Sequence, residues 1–260
     1  MILSRRVSFC GVQLDELDES IVIRSADPGV PNENIQASEK MGGWGQRVTA
    51  QHWNTAEATV VFAIDIPKTE LQRRRDVFDQ VIAWAANRKG WLEFSSIADR
   101  HLYVDKVVIP SAGDLWNWTS DYAITFRAYG TPFWESITPV TATIQSASSG
   151  TAAIEVGGTA PGVLDMSFRN ASGMTITNVK ILMNGSEMNL PGVNLTASET
   201  LTITHPRENG GLLRIYAGSR NVYSMRTGID DLTVKPGTNY FGVEASRAGT
   251  LTATSYARWL

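Results

Sequence analysis

Short alternating strand patterns, separated by turn signals, fill the chain after residue 135 and constrain its fold more than any other feature. Apolar residues recur at every second position, as in strands with one buried face. The turn signals include Asn184-Gly185, Asn209-Gly210-Gly211 and Pro236-Gly237. The patterns are PVTATIQSA, TAAIEVGG, GVLDMSFRNA, MTITNVKILMNG, ETLTITHP, LLRIYAG, YFGVEAS and LTATSYARWL. About eight short strands with this spacing predict an antiparallel β-sandwich.

A domain border is predicted near the middle of the chain. From Trp118 to Ala128 the even positions are mostly apolar and the odd ones mostly polar, which predicts a strand that Gly130-Thr131-Pro132 ends. Seven of the eight tryptophans precede residue 135, and the sequence after it is rich in Thr, Ser, Gly and Asn. The prediction is two domains, residues 1–135 and 136–260, with Phe133 and Trp134 between them.

One helix is predicted in the first domain, over about residues 69–89. Thr69 and Gln72 have the spacing of a capping box. Arg88 and Lys89 would lie in the last turn, where positive charge suits the helix dipole, before Gly90 ends the helix. The apolar residues at helical spacing are predicted to form one buried stripe, made of Leu71, Phe78, Val81, Ile82 and Ala85.

Strand patterns surround the predicted helix. EATVVFAIDI precedes it, and WLEFSSI and HLYVDKVVIP follow it, separated by a turn at Asp99-Arg100. The first domain is therefore predicted as β-rich with one helix, and the whole chain as mainly β.

A long stretch with little periodicity, DPGVPNENIQASEKMGGWGQRVTAQHW, occupies residues 27–53. A structureless loop of this length is unusual in a compact domain and is commonly functional. Two interpretations remain open. The stretch is either an extended arm or loose hairpin that orders against another subunit, or a disordered surface loop.

The residues that carry chemistry form no recognisable catalytic or metal-binding motif. His52, His101 and His205 lie in no nucleophile-elbow or H-E-x-x-H context, and GGWG at 42–45 lacks the lysine of a P-loop. Cys10 is the single cysteine, which excludes an internal disulfide and a cysteine metal cluster. We therefore predict that the chain is not an enzyme and binds no cofactor.

Charge and hydropathy exclude two further classes of partner. The formal net charge is −3, which is unfavourable for gripping phosphate backbones, so no specific nucleic-acid binding is predicted. No apolar run approaches the roughly 20 residues of a transmembrane helix, and no membrane partner is predicted. The N-terminal residues turn acidic where a signal peptide would be apolar, which predicts no Sec export.

The order of these elements resembles the distal tail protein (Dit) family of long-tailed, non-contractile bacteriophages. The resemblance extends over nearly the whole chain. It rests on an early strand pair, a glycine-containing loop, EATVVFAIDI, one helix, the strands WLEFSSI and HLYVDKVVIP, and WTSDYAITFRAYGTPFW at the end of the first domain. The final segment, LTVKPGTNYFGVEASRAGTLTATSYARWL, is similar to the last strands of the family's second domain, with its Pro-Gly-x-Asn turn.

This resemblance implies a structural hub at the distal end of the virion tail, made in the cytoplasm of the bacterial host. In the family, the first domain forms a hexameric ring that joins the tail tube to the tail-tip protein. The second is a galectin-like sandwich that carries receptor-binding parts. The implied partners are further copies of the chain, in single or stacked rings, the major tail tube protein, the tail-tip protein and a receptor-binding protein, while DNA passes through the ring.

The ring interface is predicted to lie on the arm of residues 27–53. Protein interfaces favour tryptophan and arginine, so the predicted anchors are Trp44, Arg47 and Trp53.

Two other functions remain open. A carbohydrate-binding module that attaches a particle to a cell surface would need exposed aromatic rings, and the candidates are Tyr216, Tyr223 and Trp259. The sequence HPREN around His205 does not reproduce the binding set of true galectins. A hydrolase of surface glycans would need two carboxylates about 5–10 Å apart across one cleft, for which the acidic residues 15–19 are candidates.

Overall fold

Antiparallel strands form most of the chain in the computed structural model, which describes residues 5–31, 33–39, 46–86, 88–110 and 121–260. Contacts divide the chain into a first unit, Met1–Trp134 with Leu260, and a second unit, Glu135–Trp259. Helix α1 (Leu71–Ala85) is the one α-helix in the described residues. The prediction of a mainly β fold is confirmed.

The first unit contains ten strands in its described residues. They are β1 (Val7–Phe9), β2 (Val12–Gln13), β3 (Ile21–Asp27), β4 (Glu33–Glu39), β5 (Gln46–Trp53), β6 (Ala56–Ile64), β7 (Gly90–Phe94), β8 (Arg100–Val104), β9 (Lys106–Val108) and β10 (Tyr122–Ala128). One sheet has the order β3-β6-β10-β9, a second contains β2-β1-β7-β8, and β4 and β5 form a third by themselves. Strand β11 (Trp134–Ser136) crosses the border between the units.

The core of the first unit lies under β6 and β10. Alternate side chains of β10 are buried, including Tyr122 and Phe126, which confirms the predicted alternation for the described part of this strand. Phe78 of α1 packs on Tyr122 with ring centroids 5.1 Å apart, and Phe9 of β1 packs on Phe126 at 5.2 Å. Burying each such side chain contributes on the order of 1.5–3 kcal/mol.

Helix α1 is shorter than predicted. A 3-10 turn over Lys68–Glu70 precedes it and no side chain caps its first turn. Gln72 donates to Asp76 Oδ1 at 2.8 Å instead of reaching back, so the predicted capping box does not form. Leu71 is 44% exposed and does not belong to the buried stripe. Because the helix ends at Ala85, Arg88 and Lys89 lie beyond its last turn.

The predicted strand HLYVDKVVIP divides at Asp105. Strand β8 pairs with β7, whereas β9 pairs with β10 in the other sheet. The Asp105 carboxylate explains the break, because its Oδ2 accepts backbone N–H groups of Tyr129 at 2.7 Å and Gly130 at 3.0 Å. Its own N–H donates to the carbonyl of Arg127 at 2.8 Å.

The second unit is built on one ten-stranded antiparallel sheet. The remaining strands are β12 (Val140–Val156), β13 (Gly162–Asn170), β14 (Ile176–Met183), β15 (Ser186–Leu195), β16 (Thr200–Thr204), β17 (Arg214–Ala217), β18 (Arg220–Asn221), β19 (Thr227–Gly228), β20 (Thr233–Val234), β21 (Gly237–Ser255) and β22 (Arg258–Trp259). The order is β18-β17-β16-β13-β21-β14-β15-β19, with β12 also on β21 and β20 on β13. Apolar side chains from both halves of this sheet share one buried core.

Four of the predicted strands merge into two long ones. Strand β12 unites PVTATIQSA with TAAIEVGG, and β21 unites YFGVEAS with LTATSYARWL up to Ser255. Strand β21 pairs with β14 in its first part and with β13 from Gly249 onward, so it passes from one half of the sheet to the other. Gly249 permits this passage, because a Cβ there would lie 2.3 Å from the ring of Phe168.

Strand β15 was absent from the sequence prediction. Pro191 and Gly192 interrupt its alternation. The structure accommodates them opposite a register shift between Ile176 and Asn178, and the Asn178 side chain accepts the Gly192 N–H at 3.1 Å.

Candidate functional site

Strands β4 and β5 form a hairpin-like pair within the predicted arm. They pair with each other from Glu33–Trp53 to Glu39–Gln46, and with no other strand among the described residues. The structure therefore shows a two-stranded sheet over the described residues of this segment. An isolated two-stranded sheet is marginally stable in water and needs packing from elsewhere. Its ordering against another subunit remains a prediction.

Trp53, one of the three predicted interface anchors, lies at the base of this strand pair. Its half-buried ring packs edge-on against Phe133, with centroids 5.8 Å apart and planes at 76°. Trp44 and the side chain of Arg47 lie outside the described part of the chain. The structure thus connects one predicted anchor to the body of the first unit and leaves its role in an interface as a prediction.

Phe133 and Trp134, predicted to lie between the domains, have contacts within the first unit. Trp134 is 3% exposed, donates its indole N–H to the Pro28 carbonyl at 3.0 Å and lies 5.5 Å from the ring of Phe94. Phe133 is 8% exposed. A role for these rings between the units stays a prediction.

The three aromatic residues proposed for glycan contact do not share one sheet face. Tyr216 lies half-buried on β17, and Tyr223 follows in a 3-10 turn, with the guanidinium of Arg226 4.7 Å from its ring centroid. Trp259 lies on β22, which is outside the ten-stranded sheet. Carbohydrate contact by these residues remains a prediction.

A groove of about 550 Å³ lies elsewhere on the second unit, over β14, β15, β19 and β21. Lys180 stands opposite Glu244 on one neighbouring strand and Asn189 on the other. Its ammonium lies 3.1 Å from Glu187 and 3.3 Å from Glu244, and the hydrogen bond to Glu187 is the largest cause of its raised pKa. The groove presents paired charges and amide groups to a polar ligand, and Tyr216, Tyr223 and Trp259 do not line it.

A buried ionic cluster joins three segments of the second unit. Glu135 is 1% exposed, and its two carboxylate oxygens accept from Arg207 Nε and Arg258 Nε, each at 2.7 Å. Arg207 also donates to the backbone carbonyl of His205. Burial is the largest effect on Arg258 and lowers its pKa, so the carboxylate between the two guanidinium groups offsets a costly desolvation.

His205 extends this cluster between two carboxylates. Its fully buried ring has Nδ1 2.8 Å from Asp165 Oδ1 and Nε2 2.6 Å from Asp231 Oδ1. Burial alone would disfavour the imidazolium, but hydrogen bonds and charges from both carboxylates outweigh it, and the pKa of His205 is raised. The carboxylates lie at opposite ring nitrogens, so the three side chains do not converge on one ion. No metal-binding group of three or more ligands was found in the described residues.

Comparison with known proteins rests on structure, since no family model and no curated protein matches the chain. The chain superposes on the crystal structure of the Dit protein of phage SPP1, described as a paradigm of the hub adsorption apparatus in phages that infect Gram-positive bacteria. The match covers 98% of this chain and 99% of that chain, with a TM-score of 0.67 and 14% identity. The chain has the fold of the SPP1 Dit protein.

A second similar structure is a chain of the phage P2 baseplate in its activated conformation with calcium. It is 10% identical, with coverage of 97% of this chain and 98% of that chain and a TM-score of 0.50. Among the described residues of this chain, no helix has the length and apolar character needed to cross a bilayer.

Sequence reasoning missed the buried ionic cluster of the second unit. Glu135 is 72 residues from Arg207 and 123 residues from Arg258, so no local pattern connects them. The sequence HPREN indicates neither a buried ion pair nor a partner for its arginine. The one sequence signal for the cluster is weak: His205 and Arg207 directly follow an alternating strand, at a point where a turn reverses the chain.

The protonated state of His205 predicts a pH dependence of stability. Its folded pKa lies above the ordinary value of 6.5, so its stabilising contribution is complete below that value and is lost as the pH rises through the folded pKa. We expect the free energy of unfolding to decline above about pH 6.5, as measured by urea titration with circular dichroism. His205→Gln should flatten this decline, and an equal decline in both proteins would contradict the assignment.

Proposed function

We propose that this protein is a structural hub of a bacteriophage tail tip, where it forms a hexameric ring that joins the tail tube to the tail-tip protein. The observation that carries the proposal is the match to the SPP1 Dit fold over nearly the full length of both chains. A fold alone does not establish function. Here, however, the match includes both units, and the strand pair β4–β5 supplies a segment suited to subunit contact.

The strand pair supports ring formation on physical grounds. It has no third strand among the described residues, and a two-stranded sheet needs packing from elsewhere to be stable. Trp53 connects its base to Phe133 in the first unit. In the proposed ring, a neighbouring subunit covers this pair and completes its burial. The net charge of −3 is compatible with DNA that passes through the ring without adhering.

Assembly provides the test. We expect light scattering on a sizing column to give a mass that is a multiple of six chains, and negative-stain microscopy to show six-fold rings. Trp53→Ala removes the contact with Phe133 and should shift the population toward smaller species, whereas Trp53→Phe retains an aromatic ring and should assemble. Circular dichroism of both variants controls for folding.

A protein that stays monomeric at high concentration, alone and with its tail-tip partner, would refute the ring. If that monomer bound cell-wall glycans, the carbohydrate-binding module would become the better hypothesis. The groove beside Lys180 favours testing that alternative, with Lys180→Ala as the variant that should lose binding.

A further inference from the structure

The groove beside Lys180 lies where the sheet of the second unit divides. Strand β14 pairs with β21 up to the pair Val179–Ala245, and β21 then continues to β13. On its other side, β14 pairs with β15 across a register shift between Ile176 and Asn178. These two irregularities border a groove of about 550 Å³, which is within the usual size range of small-molecule sites.

The floor of the groove offers no backbone groups to a further strand. Val179, Leu190 and Ala245 line the groove, but their side chains are part of the buried core or pack against it. Val179 pairs with Leu190 on one side and with Ala245 on the other, so its backbone groups already have partners. A peptide added as a strand would find no ladder to extend on this floor. Recognition of a ligand therefore depends on the side chains that stand above it.

A network of opposite charges stands on one side of the groove. The Lys180 ammonium lies 3.1 Å from Glu187 and 3.3 Å from Glu244. The Asn189 amide donates to the other oxygen of Glu187 at 3.1 Å, so both oxygens of that carboxylate are held. One ammonium beside two carboxylates repels a second cation, and the surplus carboxylate repels an anion. The charges therefore favour a neutral ligand.

Both hydrogen-bond donors and acceptors along the groove are available to that ligand. Within the described residues, the second carboxylate oxygen of Glu244 and the side-chain oxygen of Asn189 have no partner and can accept. The Asn178 side chain accepts a backbone N–H at 3.1 Å through its oxygen, which leaves its NH₂ group to donate. The Ser246 hydroxyl accepts a backbone N–H at 3.1 Å and keeps its own proton. A hydroxyl group is the one neutral group that both donates and accepts, so a polyhydroxylated ligand matches this mixture.

We infer that this groove binds a neutral saccharide. Lys180 and Glu244 present an ammonium donor and a carboxylate acceptor 3.3 Å apart, so adjacent sugar hydroxyls can engage both in charge-assisted hydrogen bonds. The exposed ring of Pro191 offers an apolar surface to the C–H groups of the sugar. Because the ion pairs hold these side chains before the ligand arrives, binding orders few additional rotamers.

This inference goes beyond the proposed hub and does not rest on it. It gives the carbohydrate-binding alternative a defined site, which Tyr216, Tyr223 and Trp259 do not line. Sugar binding is measured for each chain, whereas ring formation is measured as mass. A protein that forms rings and binds no sugar, or one that binds sugar as a monomer, is therefore recognised directly.

Titration of the full chain with defined sugars tests the inference. The neutral probes are glucose, galactose, mannose, N-acetylglucosamine and the disaccharides built from them, and the charged probes are glucuronate and glucosamine. Saturation-transfer NMR detects binding even when it is weak. We expect at least one neutral sugar to bind and the two charged sugars not to bind. Immobilised polysaccharides of the same neutral sugars form a second arm, in which tighter binding than that of the free sugar identifies a surface glycan as the source.

Two variants place the sugar in the groove. Glu244→Gln removes the charged acceptor and should weaken binding roughly tenfold or more. Thr227→Trp leaves the ion pairs intact and fills the groove from its exposed side, so it should abolish binding. Thr141→Trp adds the same ring to an exposed threonine of β12 outside the groove and should bind as the parent does. Circular dichroism should report native structure for each variant.

Three results would overturn the inference. The first is that no neutral sugar binds, and the second is that only the charged sugars do. The third is that a neutral sugar binds Thr227→Trp as tightly as it binds the parent, which would place the sugar on another surface. Loss of that binding in Tyr216→Ala or Tyr223→Ala would then identify the aromatic residues instead.

Discussion

Replacing Glu135 with alanine is expected to destabilise the second unit by about 3–5 kcal/mol. The substitution removes the carboxylate that both Arg207 and Arg258 contact at 2.7 Å and leaves two buried guanidinium groups close together. Urea denaturation followed by circular dichroism measures the change, with thermal unfolding as a second probe.

The controls for Glu135 separate charge from shape. Glu135→Gln keeps the side-chain volume and one acceptor oxygen. Its free energy of unfolding should therefore lie between those of the parent and the alanine variant. Glu244→Ala breaks a half-exposed ion pair with Lys180 in the same unit and should change stability far less. If Glu135→Ala and Glu244→Ala were equally stable, the buried cluster would not hold the second unit together.

Replacing Trp134 with alanine should cost the first unit about 3–5 kcal/mol. The indole is 3% exposed, packs 5.5 Å from Phe94 and satisfies the Pro28 carbonyl. Alanine at this position leaves a cavity, and it leaves the Pro28 carbonyl without its hydrogen-bond donor. The free energy of unfolding from urea titration, compared with that of the parent, measures the loss.

Trp134→Phe provides the matched comparison, because it retains a ring beside Phe94 and removes only the N–H donor. We expect it to recover most of the stability lost in the alanine variant. Tyr129→Ala, at a ring that is 51% exposed, should be nearly neutral. If Trp134→Ala lowered the free energy of unfolding no more than Tyr129→Ala does, Trp134 would not contribute to the stability of the first unit.

Local patterns predicted the elements whose buried face recurs at a regular spacing along the sequence. Strand β10 was recognisable because its buried face recurs at every second residue from Tyr122 to Ala128. The middle of α1 was recognisable because Phe78, Val81 and Ala85 recur at helical spacing. The helix ends were not recognisable, because Gln72 hydrogen-bonds to Asp76 instead of capping, and Leu71 is 44% exposed.

The division at Asp105 and the merging of strands into β12 and β21 required the tertiary structure. Asp105 resembles any polar residue in an alternating strand until Tyr129 and Gly130 donate to its carboxylate. The stretch between Ile144 and Gly150 resembles a loop, and it belongs to β12 because Ala147 pairs with Gly249 and Ser149 with Glu244 of β21, across two register shifts. Each of these features depends on a partner strand far away in sequence.

By itself, the sequence determined that the chain is mainly β with one helix, since side-chain periodicity records which face of each element is buried. It also determined the chemistry available, with one cysteine and three histidines outside known motifs. The tertiary structure alone decided that Glu135 meets Arg207 and Arg258, that His205 is held between two carboxylates, and that β12 is left at an edge. Burial and strand neighbours are properties of the folded arrangement, because they arise only when segments distant along the chain come together.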